Sequence, residues 1–278
     1  MSVLEIFDVE HGQCSLLTSD AGSRLLIDCG HNSATGWRPS DMLQRRGIGH
    51  IDELIITNCD EDHVSDLPAL LDTVGVGILN RNPTVGGADL YRLKAQGGMG
   101  RGIAAFSKMT QGYGEPVSHW PDYDGMTYRQ FWNRYPSDFE DENNLSLVTV
   151  MRWPGLSGNP GFSILYAGDM ERVGWLKLLQ RSDFRAEMRD ICVFVASHHG
   201  RRSGYCAELF EWTGLEPIIF VISDGGIQYA TQETIAGYRK HASGLNYNGT
   251  QRRVITTRRD GYISFTIGRE GALLNTAR

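Results

Sequence analysis

Strand-like runs open the chain at Val3–Val9, Cys14–Thr18 and Arg24–Cys29. The breaks between them are short and carry His11-Gly12 and Asp20-Ala-Gly22, so these runs predict a meander of antiparallel strands. Pro39–Arg46, with proline at its start and Gly47 just past its end, predicts a short helix. A strand at Glu53–Thr57 empties into the polar cluster Asn58-Cys-Asp60-Glu-Asp62-His63, and an apolar-periodic helix follows at Val64–Leu71. Between about residues 80 and 142 the pattern weakens, first into a Gly-rich and then into an aromatic stretch. That stretch predicts an insertion folded against the main body, with helices near Tyr91–Gln96 and Ile103–Lys108. Alternation resumes at Leu145–Trp153 and Phe162–Ala167, across a Pro- and Gly-bearing turn. Helices at Arg172–Leu179, Cys206–Trp212 and around Gln232–His241 then interleave with strands at Cys192–Ala196, Ile218–Ile222, Arg253–Thr256 and Tyr262–Ile267. Two β-rich halves accompanied by helices predict buried sheets covered on their outer faces. With no repeat, low-complexity linker or composition break, one domain over residues 1–278 is expected.

Composition narrows the class. Hydrophobic residues at 41% and charged residues at 22% are globular values, which excludes a disordered or coiled-coil chain. With 27 Lys+Arg against 33 Asp+Glu the net charge is −6, which argues against a general nucleic-acid coat but not against a nucleic-acid substrate met by local charge. The most apolar runs, such as Pro217–Ile222, fall far short of the ~20 residues of a membrane span. No basic and apolar leader precedes the first strand, and five cysteines at 14, 29, 59, 192 and 206 form no Cys-x-x-Cys pair. A reducing, cytoplasmic setting without membrane attachment is therefore expected.

The chemistry is carried by residues just beyond the strand ends. Asp60, Asp62 and His63 lie after one strand, Asp169 after another in Ala167-Gly168-Asp169, and His198 and His199 after a third, next to Ser197. Each group taken alone also fits helix capping or surface ion pairing. Three strand ends delivering carboxylate and imidazole together favour a shared site, since neighbouring strands lie only ~5 Å apart. Carboxylates with imidazoles and without thiolates suit Zn²⁺, Mn²⁺ or Fe²⁺ rather than a structural zinc.

The run Asn58-Cys-Asp60-Glu-Asp62-His63 resembles the His-x-His-x-Asp-His signature of the metallo-β-lactamase fold. It is most similar to the His-x-Asp-x-Asp-His variant in the soluble domain of ComEC-type DNA-uptake proteins. The remaining pieces fall in the order of that variant: Asp8-Val9-x-x-Gly12, Leu26-Ile-Asp28-Cys-Gly30, Asn143-Asn144-Leu-Ser146, Tyr166-Ala-Gly168-Asp169, Ser197-His198-His199-Gly200, and Thr257 before Asp260-Gly261. The resemblance implies an αββα four-layer sandwich of the α/β class, with metal at the edge between the sheets. It implies one firm Zn²⁺ or Mn²⁺ position held by Asp62, His63, Asp169 and His198. It implies a second, weaker position at Asn58, Asp60 and Asn143 or Asn144. Asn58 stands where histidine is usual, and Tyr229-Ala-Thr231-Gln232 lacks the histidine of the Tyr-Gly-His-Pro segment.

A site of this kind supports hydrolysis by metal-bound hydroxide, with Asp62 or Asp169 relaying the proton and His199 orienting neighbours or protonating the leaving group. Asp28 is read as bracing the metal loops. Arg201 and Arg202, and the arginines at 252, 253, 258 and 259, are candidates to hold phosphate oxygens; each taken alone is better read as a solvated residue, and only together with the resemblance do they favour a phosphodiester. Together these observations predict a metal-dependent phosphodiesterase or nuclease. The alternatives are a metallohydrolase of small nucleotides or esters, and a catalytically weak binding or regulatory module that retains the fold. Gly97-Gly98-Met-Gly100-Arg-Gly102 lacks the Lys-Ser/Thr of a phosphate loop and is read as a plain loop.

Overall fold

The computed structural model of the chain describes residues 1–94, 98–156, 161–226 and 234–278. In the first half the strands are β1 (Ser2–Ile6), β2 (Ser15–Thr18), β3 (Arg24–Ile27), β4 (His50–Ile55), β5 (Gly75–Asn80) and β6 (Thr127–Phe131). The second half contributes β7 (Val148–Trp153), β8 (Phe162–Tyr166), β9 (Val193–Val195), β10 (Ile219–Ile222), β11 (Leu245–Tyr247), β12 (Thr250–Arg252), β13 (Val254–Thr256), β14 (Tyr262–Gly268) and β15 (Gly271–Ala277). One sheet has the order β15-β14-β1-β2-β3-β4-β5 and the other β13-β10-β9-β8-β7-β6, with β11 and β12 forming a separate hairpin.

Period-two alternation decides how these sheets stack. On β3, Leu25 and Ile27 face one way and Leu26 the other; on β8, Phe162, Ile164 and Tyr166 face opposite to Leu165. The inward sets of both sheets meet in one apolar layer containing Leu4, Ile6, Leu25, Ile27, Met151, Ile164, Val193, Val221 and Phe265. The outward face of the first sheet packs Leu16, Leu26 and Leu54 under Met42, Leu43, Leu70 and Phe106 from its helices. The outward face of the second packs Val150, Phe194 and Phe220 under Trp175, Phe184 and Phe210. Helices outside and two sheets within make the four-layer αββα sandwich. The parallel strands β9 and β10 are apolar at every position because both of their faces are covered.

Several elements depart from expectation. β5 reads Gly75-Val-Gly-Ile-Leu-Asn80, and its glycines hide it; an added Cβ at Gly77 would sit 2.7 Å from the Asp52 carbonyl oxygen of β4. The aromatic stretch supplies an edge strand, β6, and it buries Tyr123 and Phe131 while leaving Trp120 exposed. A last strand, β15, follows β14 by a tight turn and escapes notice because edge strands lack an apolar run. The expected helix near Tyr91–Gln96 lies earlier, at Gly87–Leu93, and its expected end falls outside the described residues. So do residues 157–160 of the expected turn and the start of the helix expected from Gln232, of which Ile235–Arg239 is observed. No helix among the described residues is long and apolar enough to cross a membrane, and all five cysteines are unpaired.

Phe194 packs its ring against Trp175, Phe210 and Phe220. Phe194→Ala is expected to cost about 3–5 kcal/mol in urea denaturation. A loss below about 1 kcal/mol would show that this layer is not the packed core described.

Candidate metal centre

The strands β3 and β4 run parallel, as do β8, β9 and β10, so their C-terminal ends collect along one edge of the sandwich. At that edge the two sheets are sewn together. Leu147 N–H donates to the Thr57 carbonyl (2.7 Å), and Ser146 Oγ accepts both from Asp169 N–H (3.0 Å) and from Asn58 Nδ2 (3.0 Å).

Into this seam project Asp62, His63, Asp169 and His199, whose ligand-type atoms all lie within 4.8 Å of one another. Asp62 and His63 come from the single turn Glu61–Val64, which starts directly after the polar loop following β4. That turn is held from two sides: Cys29 N–H donates to the His63 carbonyl (2.8 Å), and added Cβ atoms at Gly12 or Gly30 would collide with the Asp62 carbonyl oxygen. His63 Nε2 lies 3.0 Å from Asp169 Oδ1, while its Nδ1 is 2.9 Å from Asp28 Oδ2. Asp28, fully buried with φ +56°, also accepts from Thr57 N–H (2.7 Å) and from the Thr57 hydroxyl. The carboxylate behind the ring fixes its orientation and leaves Nε2 directed into the cluster.

His199 Nε2 lies 3.4 Å from Asp62 Oδ2 and 3.3 Å from Asp169 Oδ1, is buried, and has no hydrogen-bond partner. A buried imidazole nitrogen that shares two carboxylates without a well-directed hydrogen bond to either is placed as a cation ligand would be. Two imidazoles and two carboxylates are a donor set for Zn²⁺, Mn²⁺ or Fe²⁺, so a divalent ion suits these residues. The histidines sit on a strained corner: His198, His199 and Gly200 have φ of +50°, +52° and +73° in succession. Such conformations cost energy in non-glycine residues, and here they turn the two rings in different directions.

That turn alters the expected allotment of the histidines. His199, expected beside the ligands, has its ring inside the cluster. His198, expected as a ligand, keeps Nε2 3.8 Å from Asp169 Oδ2 and bonds instead with Ser203 Oγ (3.0 Å) and Arg201 Nη1 (3.1 Å). The residues expected at a second ion are also engaged elsewhere. Asn58 Oδ1 accepts from Asp60 N–H (2.7 Å), Asp60 is paired with Lys94, and Asn143 Oδ1 accepts from Asn58 Nδ2 (3.4 Å). Asn144 points away: its Oδ1 accepts from Gly174 N–H (2.8 Å), anchoring the helix Arg172–Leu178. Arg201 has a buried Nε without a partner, whereas Arg202 is exposed. Arg258 reaches Asp224 (3.2 Å), while Arg252, Arg253 and Arg259 line a different cleft that shares no residue with the cluster. The segment Tyr229-Ala-Thr231-Gln232 lies outside the described residues.

Sequence reasoning missed Lys94, Glu142 and Asp224. Asp224 follows β10 as Asp169 follows β8, so the strand-end signal was present; nothing local marks Lys94.

Burial alone would lower the His199 ring, but the Asp169 and Asp62 carboxylates reverse this and push it up to about 9. Burial likewise opposes ionisation of Asp169, yet the His199 and His63 rings hold it well below the usual carboxylate range. In the metal-free protein the cluster is therefore an ion-paired network.

The chain has the metallo-β-lactamase fold, shown by its paired sheets with outer helices and by a match of the metallo-beta-lactamase superfamily model to residues 7–85. It is 31% identical over 80 residues to a ribonuclease Z of Clostridium novyi (strain NT), covering 28% of this chain and 24% of that protein; the match spans about a quarter of that relative's length. Among solved structures it is similar to a diphosphatase from the PhnP family (TM-score 0.49, 11% identity, 96% of this chain and 98% of that one). It is also similar to the metallo-beta-lactamase fold protein YhfI from Bacillus subtilis (0.46, 10%, 91% and 96%). The metallo hydrolase Igni18 from Ignicoccus hospitalis gives 0.46 at 12% identity, covering 96% and 100%.

This geometry has two measurable outcomes. His199 has a folded-state pKa above its unfolded value of about 6.5, so its stabilisation is complete below that pH and is lost as pH rises toward about 9. Metal must displace the same proton, so metal affinity is expected to rise over that window. Urea midpoints of stripped protein and calorimetric titrations at about pH 6, 7.5 and 9 measure both, and flat profiles would contradict the pairing. Gly30→Ala is expected to cost about 1–3 kcal/mol, because the Asp62 turn has to shift; the urea midpoint, with and without Zn²⁺, reports it.

Proposed function

We propose that this chain is a metal-dependent hydrolase of phosphodiesters, a single domain whose ion is held by Asp62, His63, Asp169 and His199. The observation that carries the reading is the convergence of buried His63 and His199 ring nitrogens with the Asp62 and Asp169 carboxylates within 4.8 Å of one another. When bound, a divalent ion makes water nucleophilic near neutral pH and polarises a phosphoryl oxygen.

The chain's own residues divide the remaining work. Asp62 is the open member of the set, with its side chain 38% exposed while those of His63, Asp169 and His199 are 1–4% exposed, so substrate and water approach from its side. Its carboxylate takes the proton released by water. Asp169 bridges the two rings and keeps both directed inward. His198 acts as a positioning residue, tied between Ser203 and Arg201. Arg201, whose Nε is unpaired, holds a non-reacting phosphate oxygen, and exposed Arg202 contributes only diffuse charge. Support for a phosphodiester comes from these arginines and from the ribonuclease Z match over 80 residues. The likeness of Asn58–His63 to the ComEC-type run points to the same substrate class.

The test is turnover of a generic aryl phosphodiester, of single- and double-stranded DNA and RNA, and of small nucleotides, with Mn²⁺ or Zn²⁺. Asp169→Ala and His199→Ala are expected to lose at least about 10³-fold in kcat/KM, and Arg201→Ala about 10-fold or more, chiefly in KM. Turnover of small nucleotides alone would replace the nuclease with the small-molecule reading. Absence of bound metal and of all turnover would overturn the enzyme and leave a binding module.

A further inference from the structure

The acidic pocket beside the proposed ion is already filled by this chain. Lys94, its side chain 7% exposed, places its ammonium against Asp60 Oδ1 and 2.5 Å from Glu142 Oε1. Asn58 and Asn143 line the same pocket: Asn58 Nδ2 also reaches the Glu142 carbonyl oxygen (3.4 Å). These are the donors that a second metal ion would need, and a buried ammonium stands among them.

Resting on the metal-centre reading above, we infer that Lys94 is a built-in replacement for a second metal ion, which makes the centre mononuclear. A buried ammonium is tolerated only when paired, and Asp60 and Glu142 supply the pairing. With Lys94 in place, a dication at Asp60 meets a fixed positive charge within contact distance, and Asn58 Oδ1 is already committed to Asp60 N–H. The surrounding fold delivers the lysine. It follows the helix Gly87–Leu93 directly, where a cation also suits the carbonyl end of the helix. The next helix, Arg101–Gly112, is clamped to the motif by Glu61, whose carboxylate accepts from Gly102 N–H (2.8 Å) and Ile103 N–H (3.1 Å). Asp60 thus holds the middle segment at Lys94 itself, and Glu61 holds it at Gly102 and Ile103. Removing the ammonium leaves two converging carboxylates, with Asn143 Oδ1 beside them, hard oxygen donors that suit Mn²⁺.

The experiment is metal stoichiometry, by elemental analysis of stripped and Mn²⁺-reloaded protein, on wild type, Lys94→Arg, Lys94→Ala and Lys94→Gln. One ion per chain is expected for wild type and Lys94→Arg. Two are expected for Lys94→Ala, with the spectroscopic signature of a coupled Mn²⁺ pair. Lys94→Gln keeps a hydrogen-bonding group between the carboxylates and serves where the alanine variant does not fold; it too is expected to hold two ions. Two ions in wild type, or one ion in a folded neutral variant, would overturn the inference. No ion in wild type would instead overturn the metal centre itself, a result distinguishable from either.

Discussion

The seam between the sheets has to accommodate carboxylates that water cannot reach. Asp28 is wholly buried and Asp169 is 2% exposed, while Asp62 stands at the open side of the same cluster. Ionised carboxylates in such a place demand compensating charge within a few ångströms. His63 meets two of these demands at once, with one ring nitrogen on Asp28 and the other on Asp169. His199 meets the third by facing both Asp62 and Asp169. The left-handed corner at His198 and His199, the left-handed Asp28 and the side-chain-free approach of Gly12 and Gly30 all serve this placement. Local strain here is the cost of bringing charge to charge, and a divalent ion satisfies the same carboxylates with fewer protons.

The same constraint links the two halves of the molecule. Parallel strands in both sheets present their ends at one edge, so each sheet contributes side chains to the cluster that the other half completes. Ser146, just before β7, bonds to both Asn58 and Asp169 and fixes the distance between the motif loop and the β8 loop. On the far side of the motif, Asp60 and Glu61 bind the middle segment through Lys94 and through the N-terminus of the helix Arg101–Gly112. The irregular stretch after β5 is therefore coupled to the site electrostatically, as well as by packing of Ile103 and Phe106 under the first sheet.

Much of the frame was legible because period-two alternation and strand-end polarity survive in the sequence. Asp62, His63 and Asp169 were readable as members of one cluster, and Asp28 as the brace behind His63. What escaped has physical reasons. β5 is broken by glycines that close contact with β4 requires, and β15 is an edge whose outward residues, such as Leu273, are exposed. The choice between His198 and His199 depends on two backbone dihedrals, which adjacency in sequence does not encode. Asn58 could be seen to be unusual, but Lys94, which pairs with neighbouring Asp60, lies far along the chain without a motif of its own.

Net acidity looks unfavourable for an anionic substrate until the acids near the site are traced to their partners. Asp60 and Glu142 share Lys94, Asp66 is held by Arg38 (2.9 Å), Asp224 by Arg258 (3.2 Å), and Asp169 lies between two imidazoles. Asp62 is the most exposed carboxylate of the cluster, and it faces His199. The proposed phosphodiester substrate would thus meet acids already paired, with Arg201 beside His198 as the cation at hand. In the proposed mononuclear centre, one ammonium in place of a second dication lowers the positive charge available at the site. Charge stabilisation would then come from a single ion and Arg201, so the arginine would carry more of the substrate than it would beside a metal pair.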